Sequence, residues 1–412
     1  MEITSDNNFT YTIDITNNPK HVKEKTYKYS NNNHNTVYKI YNYDRDMICD
    51  DNKELYLYKS IICNNENNIV GFCPPKSVKY NKFIESNEMN DNIIASQLIE
   101  GTMINLFYDK DRLEWNIHTR GAVGGNYFYF RNQYYVDQFS ENRQISFYDM
   151  FLECLQSNDN ENLNDLSLLN CLSKDFVYSF VMQHPDNHIV VPHERPQLYL
   201  THVYKIVDNT ITHINNFFNN EELKNLEILN GFILTPEIYN NEDSFDKMVE
   251  KYCNIQKDFT NIGISFYNTV TGERSVYKNP SYVIMKELRG NNPNLQYQYI
   301  CLRRINKVKD FLQYFPNYKK VFWKFFSQYK EFMKNVHQSY YSYYIKKSIS
   351  KVNNKYMPHI YRIHHNVFLP SLNTDNTKII NISEIYNYFD NIDIGELLYA
   401  LNYDNRKITK NV

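Results

Sequence analysis

Between Leu55 and Val136 the chain runs in short β-prone stretches separated by turn residues: LYLYKSIICN, NIVGF, GTMINLFYD, LEWNIHTRG and NYFYF. Alternation of apolar and polar positions predicts strands there. Residues 145–172 change period, with Phe147, Met150, Phe151 and Leu155 at helical spacing. Strands are predicted again at Phe176–Met182, His188–Val191, Leu198–Val207, Gly263–Tyr267 and Arg274–Tyr277. Beyond about Arg303 the period becomes 3.6. Val321, Phe322, Phe325, Phe326, Tyr329, Phe332, Met333 and Val336 mark one apolar face of a helix starting just after Pro316, with lysines mostly off that face. The pattern predicts an α+β body of twisted antiparallel sheets with helices, followed by a helical C-terminal domain. The expected divisions are a polar, Asn-rich lead-in over 1–50, the body over 51–302, and a basic helical domain over 303–412.

At 412 residues, with 42% hydrophobic and 22% charged residues, the chain can bury two cores. Thirty-eight tyrosines and 25 phenylalanines against ten glycines, with abundant Asn, Ile and Lys, indicate an AT-rich genome. Neither a signal segment nor an 18-residue apolar run is present, so no membrane partner is expected. Seven cysteines with no CxxC pair are read as reduced thiols, which points to the host cytoplasm.

Charge is what separates the two halves. Residues 303–365 hold 14 Lys/Arg against Asp310 and Glu331, whereas residues 1–302 carry 27 basic and 39 acidic groups. Arg303, Arg304, Lys307, Lys319, Lys320, Lys324, Lys346 and Lys347 are the candidate phosphate contacts, and Tyr340, Tyr341, Tyr343 and Tyr344 are candidates for base stacking. RNA is the expected partner, with an acidic protein as the competing one. His184, His188 and His193, like His359, His364 and His365, read as surface histidines rather than a zinc site. Gly121–Gly125 reads as a turn between strands.

In order along residues 55–290, several segments resemble the nucleotidyltransferase domain of phage-type RNA-repair ligases. They are YKSIICNNENNIVGFCPPKSVKYNKF, QLIEGTMINLFYD, LEWNIHTRGAVGG, DFVYSFVMQHPDNHIV, NIGISFYN and RSVYKNPSYV. The resemblance implies a strand carrying Lys-x-Asp-Gly, whose lysine attacks ATP. It also implies later glutamates and a Lys-x-Lys pair. Here Leu98-Ile99-Glu100-Gly101 stands at the nucleophile motif, Val181 and Ile262 at the two acidic positions, and Val276 at the first lysine. Adenylyl transfer needs an activated lysine, carboxylates for metal and cations for the leaving group. With those positions aliphatic, no catalytic residue, cofactor or metal is expected, and the centre of the pocket is expected to be refilled as apolar core. Glu100, Arg120 and Lys278 match positions that touch nucleotide in the family. They read either as a surviving nucleotide site or, for Glu100 and Arg120, as a structural ion pair. The expectation is a pseudoenzyme of a giant-virus-like source that binds RNA or nucleotide. The alternatives are an active ATP- and Mg-dependent RNA ligase using another lysine (Lys76, Lys79 or Lys82), and a virion or assembly interaction protein.

Overall fold

A computed structural model describes residues 8–127, 145–156 and 162–404, apart from 16, 18, 32–33, 50–51, 188, 230–231, 254–257, 291, 293 and 374–378. The described residues form two compact units, the first ending at Lys286 and the second starting at Glu287. The change falls within the helix Pro280–Arg289. Residue 303, expected as the boundary, lies inside the helix Leu295–Arg304, whose N-terminus is capped by the Asn294 side chain.

The first unit is mixed α+β. Its strands are β1 (Thr10–Thr12), β2 (Val22–Asn31), β3 (His34–Tyr43), β4 (Ile61–Cys63), β5 (Ile69–Phe72), β6 (Ile93–Gln97), β7 (Thr102–Asp109) and β8 (Glu114–His118). They continue with β9 (Phe176–Gln183), β10 (Gln197–Val207), β11 (Thr210–His213), β12 (Ile233–Leu234), β13 (Gly263–Asn268) and β14 (Arg274–Lys278). The largest sheet has the order β1-β11-β10-β9-β7-β8, with β12 pairing beside β10. A second sheet runs β2-β3-β4-β5, and a third β14-β13-β6. Apart from the parallel β10–β12 pair, neighbouring strands are antiparallel.

The large sheet is covered on both faces, and strand alternation assigns each residue to one of them. From β9, Phe176, Tyr178, Phe180 and Met182 join Ile104 and Leu106 of β7 against the helix Phe147–Cys154. Val177 points the other way, into a cluster with Phe107, Tyr204, Tyr38 and Ile40. Polar residues on that second face find partners inside: the Tyr38 hydroxyl donates to Asp109 Oδ2 at 2.6 Å, and the Ser179 hydroxyl to Asn105 Oδ1 at 2.8 Å.

Four sequence expectations change. Residues 1–50 are not a lead-in, because Tyr11, Ile13, Tyr38 and Ile40 are core residues. The first half of LYLYKSIICN is the helical turn Lys53–Lys59. The helix expected over 145–172 ends at Cys154, and Gln156 then takes a left-handed φ of 55°. No strand forms at 189–191, because the Val190 and Val191 N–H groups bond to a side chain instead of a ladder. Most of the predicted NYFYF strand lies outside the described residues.

The second unit is helical. Its longest helix, Lys319–Tyr340, buries Phe322, Phe325, Tyr329, Phe332, Met333, Val336 and Tyr340. A partly buried amide network ties three helices: Gln296 Nε2 donates to Gln328 Oε1 (2.8 Å), Gln328 Nε2 to the Leu401 carbonyl (3.0 Å), and Asn402 Nδ2 to Gln296 Oε1 (2.7 Å). Among the described residues no helix is long and apolar enough to cross a membrane.

Buried histidines set an acid limit on the first unit. Desolvation pushes the pKa of His118 from 6.5 down to about 4, and that of His213 down to about 3. In the unfolded chain both titrate near 6.5. As pH falls, the unfolded state therefore takes up protons first. Stability is complete above about pH 6.5 and declines below it, by about 1.4 kcal/mol per pH unit for each histidine. Urea melts from about pH 7.5 to 5, where most carboxylates stay ionised, should show this decline. A flat profile would mean that these rings charge in place.

Candidate functional site

Between the largest and the third sheet of the first unit lies a cavity of 230 Å³. On β9, Val181 has the opposite phase to Phe180 and Met182, so it faces this cavity rather than the helix-covered core. Met103 of β7 does the same. On β10 a bulge between Leu200 and His202 shifts the register and leaves Leu200, Thr201 and His202 all lining the space. From the third sheet come Ser265, Tyr267 and Arg274. Leu98 follows β6 directly, and its N–H donates to the Gly263 carbonyl at 3.0 Å, which holds its side chain in the same wall.

Beside the cavity, Glu100 is buried, and its carboxylate is fully engaged. Oε1 accepts from the Val190 N–H (3.0 Å) and the Tyr282 hydroxyl (2.7 Å), and Oε2 from the Val191 N–H (2.8 Å). Gly101 follows at φ 155°, where a Cβ would stand 2.4 Å from the Met182 carbonyl oxygen. Gly263, at φ 146°, leaves a Cβ only 2.1 Å from the Tyr277 carbonyl oxygen. Both positions admit glycine alone, for reasons of backbone packing and not of chemistry.

No protein-family model matches the chain. A stretch of 108 residues, 26% of this chain, is 29% identical to an RNA ligase of Rhodothermus phage RM378. That stretch spans 22% of the phage protein's length. Two solved structures, form 1 and form 2 of an archaeal ATP-dependent RNA ligase, overlay with TM-scores of 0.35 and 0.30 at 9% and 11% identity. The overlays cover 90% and 86% of this chain, and 76% and 75% of theirs.

Of the four aliphatic positions singled out in the sequence, Leu98 and Val181 line the cavity. Ile262 is buried and Val276 half-buried, and neither is part of the cavity lining. The space between the sheets is thus narrowed but not filled. Glu100, Arg120 and Lys278 do not assemble around it, nor do Glu100 and Arg120 pair with each other. Arg120 Nε donates to the Lys59 carbonyl (3.3 Å) and its Nη2 to the Tyr43 carbonyl (3.2 Å), with the guanidinium 4.4 Å above the Tyr43 ring. It borders a separate open groove with Lys23 and Arg45. Lys278 is exposed at the end of β14.

Of the lysines considered as alternative nucleophiles, Lys76 lies over the Tyr56 ring at 4.3 Å, and Lys82 pairs with Glu85 at 2.7 Å. Lys59 was missed by sequence reasoning. Its amine is 4.0 Å from Met103 Sδ, and desolvation lowers its pKa. His184 is also internal: its Nδ1 accepts from the Asp186 N–H (3.1 Å) and its Nε2 donates to Glu153 (2.9 Å). His188 lies outside the described residues.

In the second unit the candidate RNA contacts divide into two groups. Arg303 pairs with Asp390 and stacks on Tyr329 at 4.2 Å, while Arg304 Nη2 donates to the Phe389 (3.0 Å) and Ile392 (2.6 Å) carbonyls. Lys307 pairs with Asp310 at 2.7 Å. These three work within the unit. Lys319, Lys320, Lys324, Lys346 and Lys347 are exposed. On the helix Lys319–Tyr340 the exposed face also carries Trp323, 67% exposed, and Phe326, 48% exposed and so not on the apolar face expected for it. Tyr340 is buried and Tyr344 stacks on His364 at 3.8 Å, so of the candidate stacking tyrosines Tyr341 is the exposed one. Trp323 left a signal in the sequence, an indole at a solvent position of a 3.6 period, and went unread.

If Glu100 is a structural clamp, Glu100→Ala strands two buried N–H groups and a hydroxyl. Its expected cost is at least about 3 kcal/mol in urea unfolding, with Glu100→Gln recovering part. A loss below about 1 kcal/mol would return Glu100 to the role of a ligand contact.

Proposed function

We propose that this chain is a non-catalytic RNA-binding protein built on an RNA-ligase-like frame, acting on viral RNA or RNA ends in the host cytoplasm or virion of a large DNA virus. The observation that carries the reading is the solvent face of the helix Lys319–Tyr340. There Trp323 stands among Lys319, Lys320, Lys324, Lys330 and Lys334, all exposed. Lysines neutralise phosphates and a bare indole stacks on an unpaired base, which together favour single-stranded RNA over an acidic protein. The partial similarity to a phage RNA ligase supports the RNA-related ancestry. The absence of a catalytic role is supported by Leu98 and Val181, which put alkyl groups where adenylylation needs an amine and a carboxylate.

RNA affinity should fall roughly 10³-fold or more between about 50 and 200 mM salt if several lysines contact phosphate. Lys319, Lys320 and Lys324 changed together to Glu should weaken binding and flatten that slope. Trp323→Ala should cost about 1–3 kcal/mol for single strands and leave the slope unchanged. Unchanged RNA affinity in both variants, measured by fluorescence anisotropy, would favour the acidic partner.

Lys59 favours a second reading, an active ligase with a displaced nucleophile, because desolvation makes its amine more nucleophilic at neutral pH. Labelled ATP with Mg²⁺ or Mn²⁺ separates the two. The proposal expects no covalent AMP on the native chain, and none on Leu98→Lys, since Val181 and Ile262 supply no carboxylate for metal. Covalent AMP that disappears in Lys59→Met would establish the second reading.

A further inference from the structure

We propose that the cavity between the two sheets of the first unit binds a small ligand made of one anionic group on a compact apolar body, with Arg274 holding the anion. The inference is independent of RNA binding, which rests on the second unit. Arg274 lines the cavity, and its Nε and Nη1 are buried without a hydrogen-bond partner. Guanidinium donors left in that state are costly unless an acceptor arrives. Among the described residues no carboxylate forms an ion pair with Arg274 or Lys59.

The neighbours add no negative charge. Burial lowers the pKa of the Lys59 amine, and the nearby Arg274 and Arg120 guanidiniums lower it further, against an opposing contribution from Cys73. His213 is neutral at pH 7, its pKa pushed down to about 3 by desolvation, and its Nδ1 lies 2.9 Å from Asn215 Oδ1. The Tyr11 hydroxyl is held protonated, its pKa raised to about 12 by burial. A positive potential therefore converges on this end of the cavity with no internal anion to balance it.

The rest of the lining decides what carries the anion. Leu98, Ile99, Met103, Val181 and Leu200 form an apolar wall that favours an apolar body, and the lining's other polar side chains, among them Ser96, Thr201, Asn215 and Ser265, are uncharged. Ile238, also in the lining, is 61% exposed, which places one edge of the cavity at solvent. At 230 Å³ the space is below the roughly 300–1,000 Å³ usual for drug-sized ligands, too small for a nucleoside triphosphate and suited to a single ring. One fixed cation with an alkyl wall matches an aromatic carboxylate or phosphomonoester.

Isothermal titration of the full chain with phenyl phosphate, benzoate, phenol, inorganic phosphate and ATP tests this. Saturation of one site by phenyl phosphate or benzoate is expected, and which of the two binds more tightly identifies the anion. Phenol, inorganic phosphate and ATP should each bind at least tenfold more weakly than the better of these. Arg274→Gln should lose at least tenfold, and Arg274→Lys less. Leu98→Phe and Val181→Phe, which fill the cavity from opposite walls, should abolish binding even if Arg274→Gln fails to fold. The proposal is overturned if neither anionic ring saturates a site. It is equally overturned if phenol or inorganic phosphate binds as well as the anionic rings, if ATP binds more tightly, or if the variants bind like the native chain.

Discussion

Burial of the largest sheet on both faces is the constraint from which the rest of the first unit follows. A strand covered on one side can send every second residue to water, but β7 and β9 cannot. Polar groups on these strands must then be satisfied inside the protein, as Asn105 is by Ser179 and Asp109 by Tyr38. The same alternation that packs Phe180 and Met182 under a helix turns Val181 and Met103 into the cavity. Arg274 is one of the exceptions among the described residues, its buried Nε and Nη1 being left without a hydrogen-bond partner.

Glu100 shows how a buried carboxylate can serve architecture. Its carboxylate joins the turn before β7, the segment at Val190–Val191 and Tyr282 on the helix Pro280–Arg289. Gly101 and Gly263 are required by carbonyl oxygens that leave no room for a Cβ. Glu100 and these two glycines are thus explained by hydrogen bonding and backbone packing alone.

The second unit uses aromatic and cationic groups in two ways. Inside, Arg303 bridges Asp390 and the Tyr329 ring, and Arg304 satisfies carbonyls at the end of a neighbouring helix. Outside, Trp323 and Phe326 lie exposed among lysines on the solvent side of the long helix. Arginines lend themselves to the first task because a planar fork can bond and stack at once, whereas lysines stay hydrated at the surface.

The strands β5, β7, β8, β9, β10, β13 and β14 and the long helix after Pro316 were legible in the chain, because periods of 2 and 3.6 are local properties. The amino-acid order by itself therefore determined the α+β class and the basic helical end. Tertiary structure alone decided which charges are free and which are spent. Arg303, Arg304 and Lys307 look like Lys319 and Lys320 in sequence, yet their partners lie up to 88 residues away or on an adjacent turn. Glu100, Arg120 and Lys278 looked like one site, but Glu100 and Arg120 are hydrogen-bonded to different stretches of distant backbone and Lys278 is exposed at a strand end. Arg274 acquires its meaning only because the strands facing it bring histidine, tyrosine and alkyl groups but no carboxylate. Hydrogen bonds and ion pairs are settled by distance in space, and distance in space is what a period along the chain does not encode.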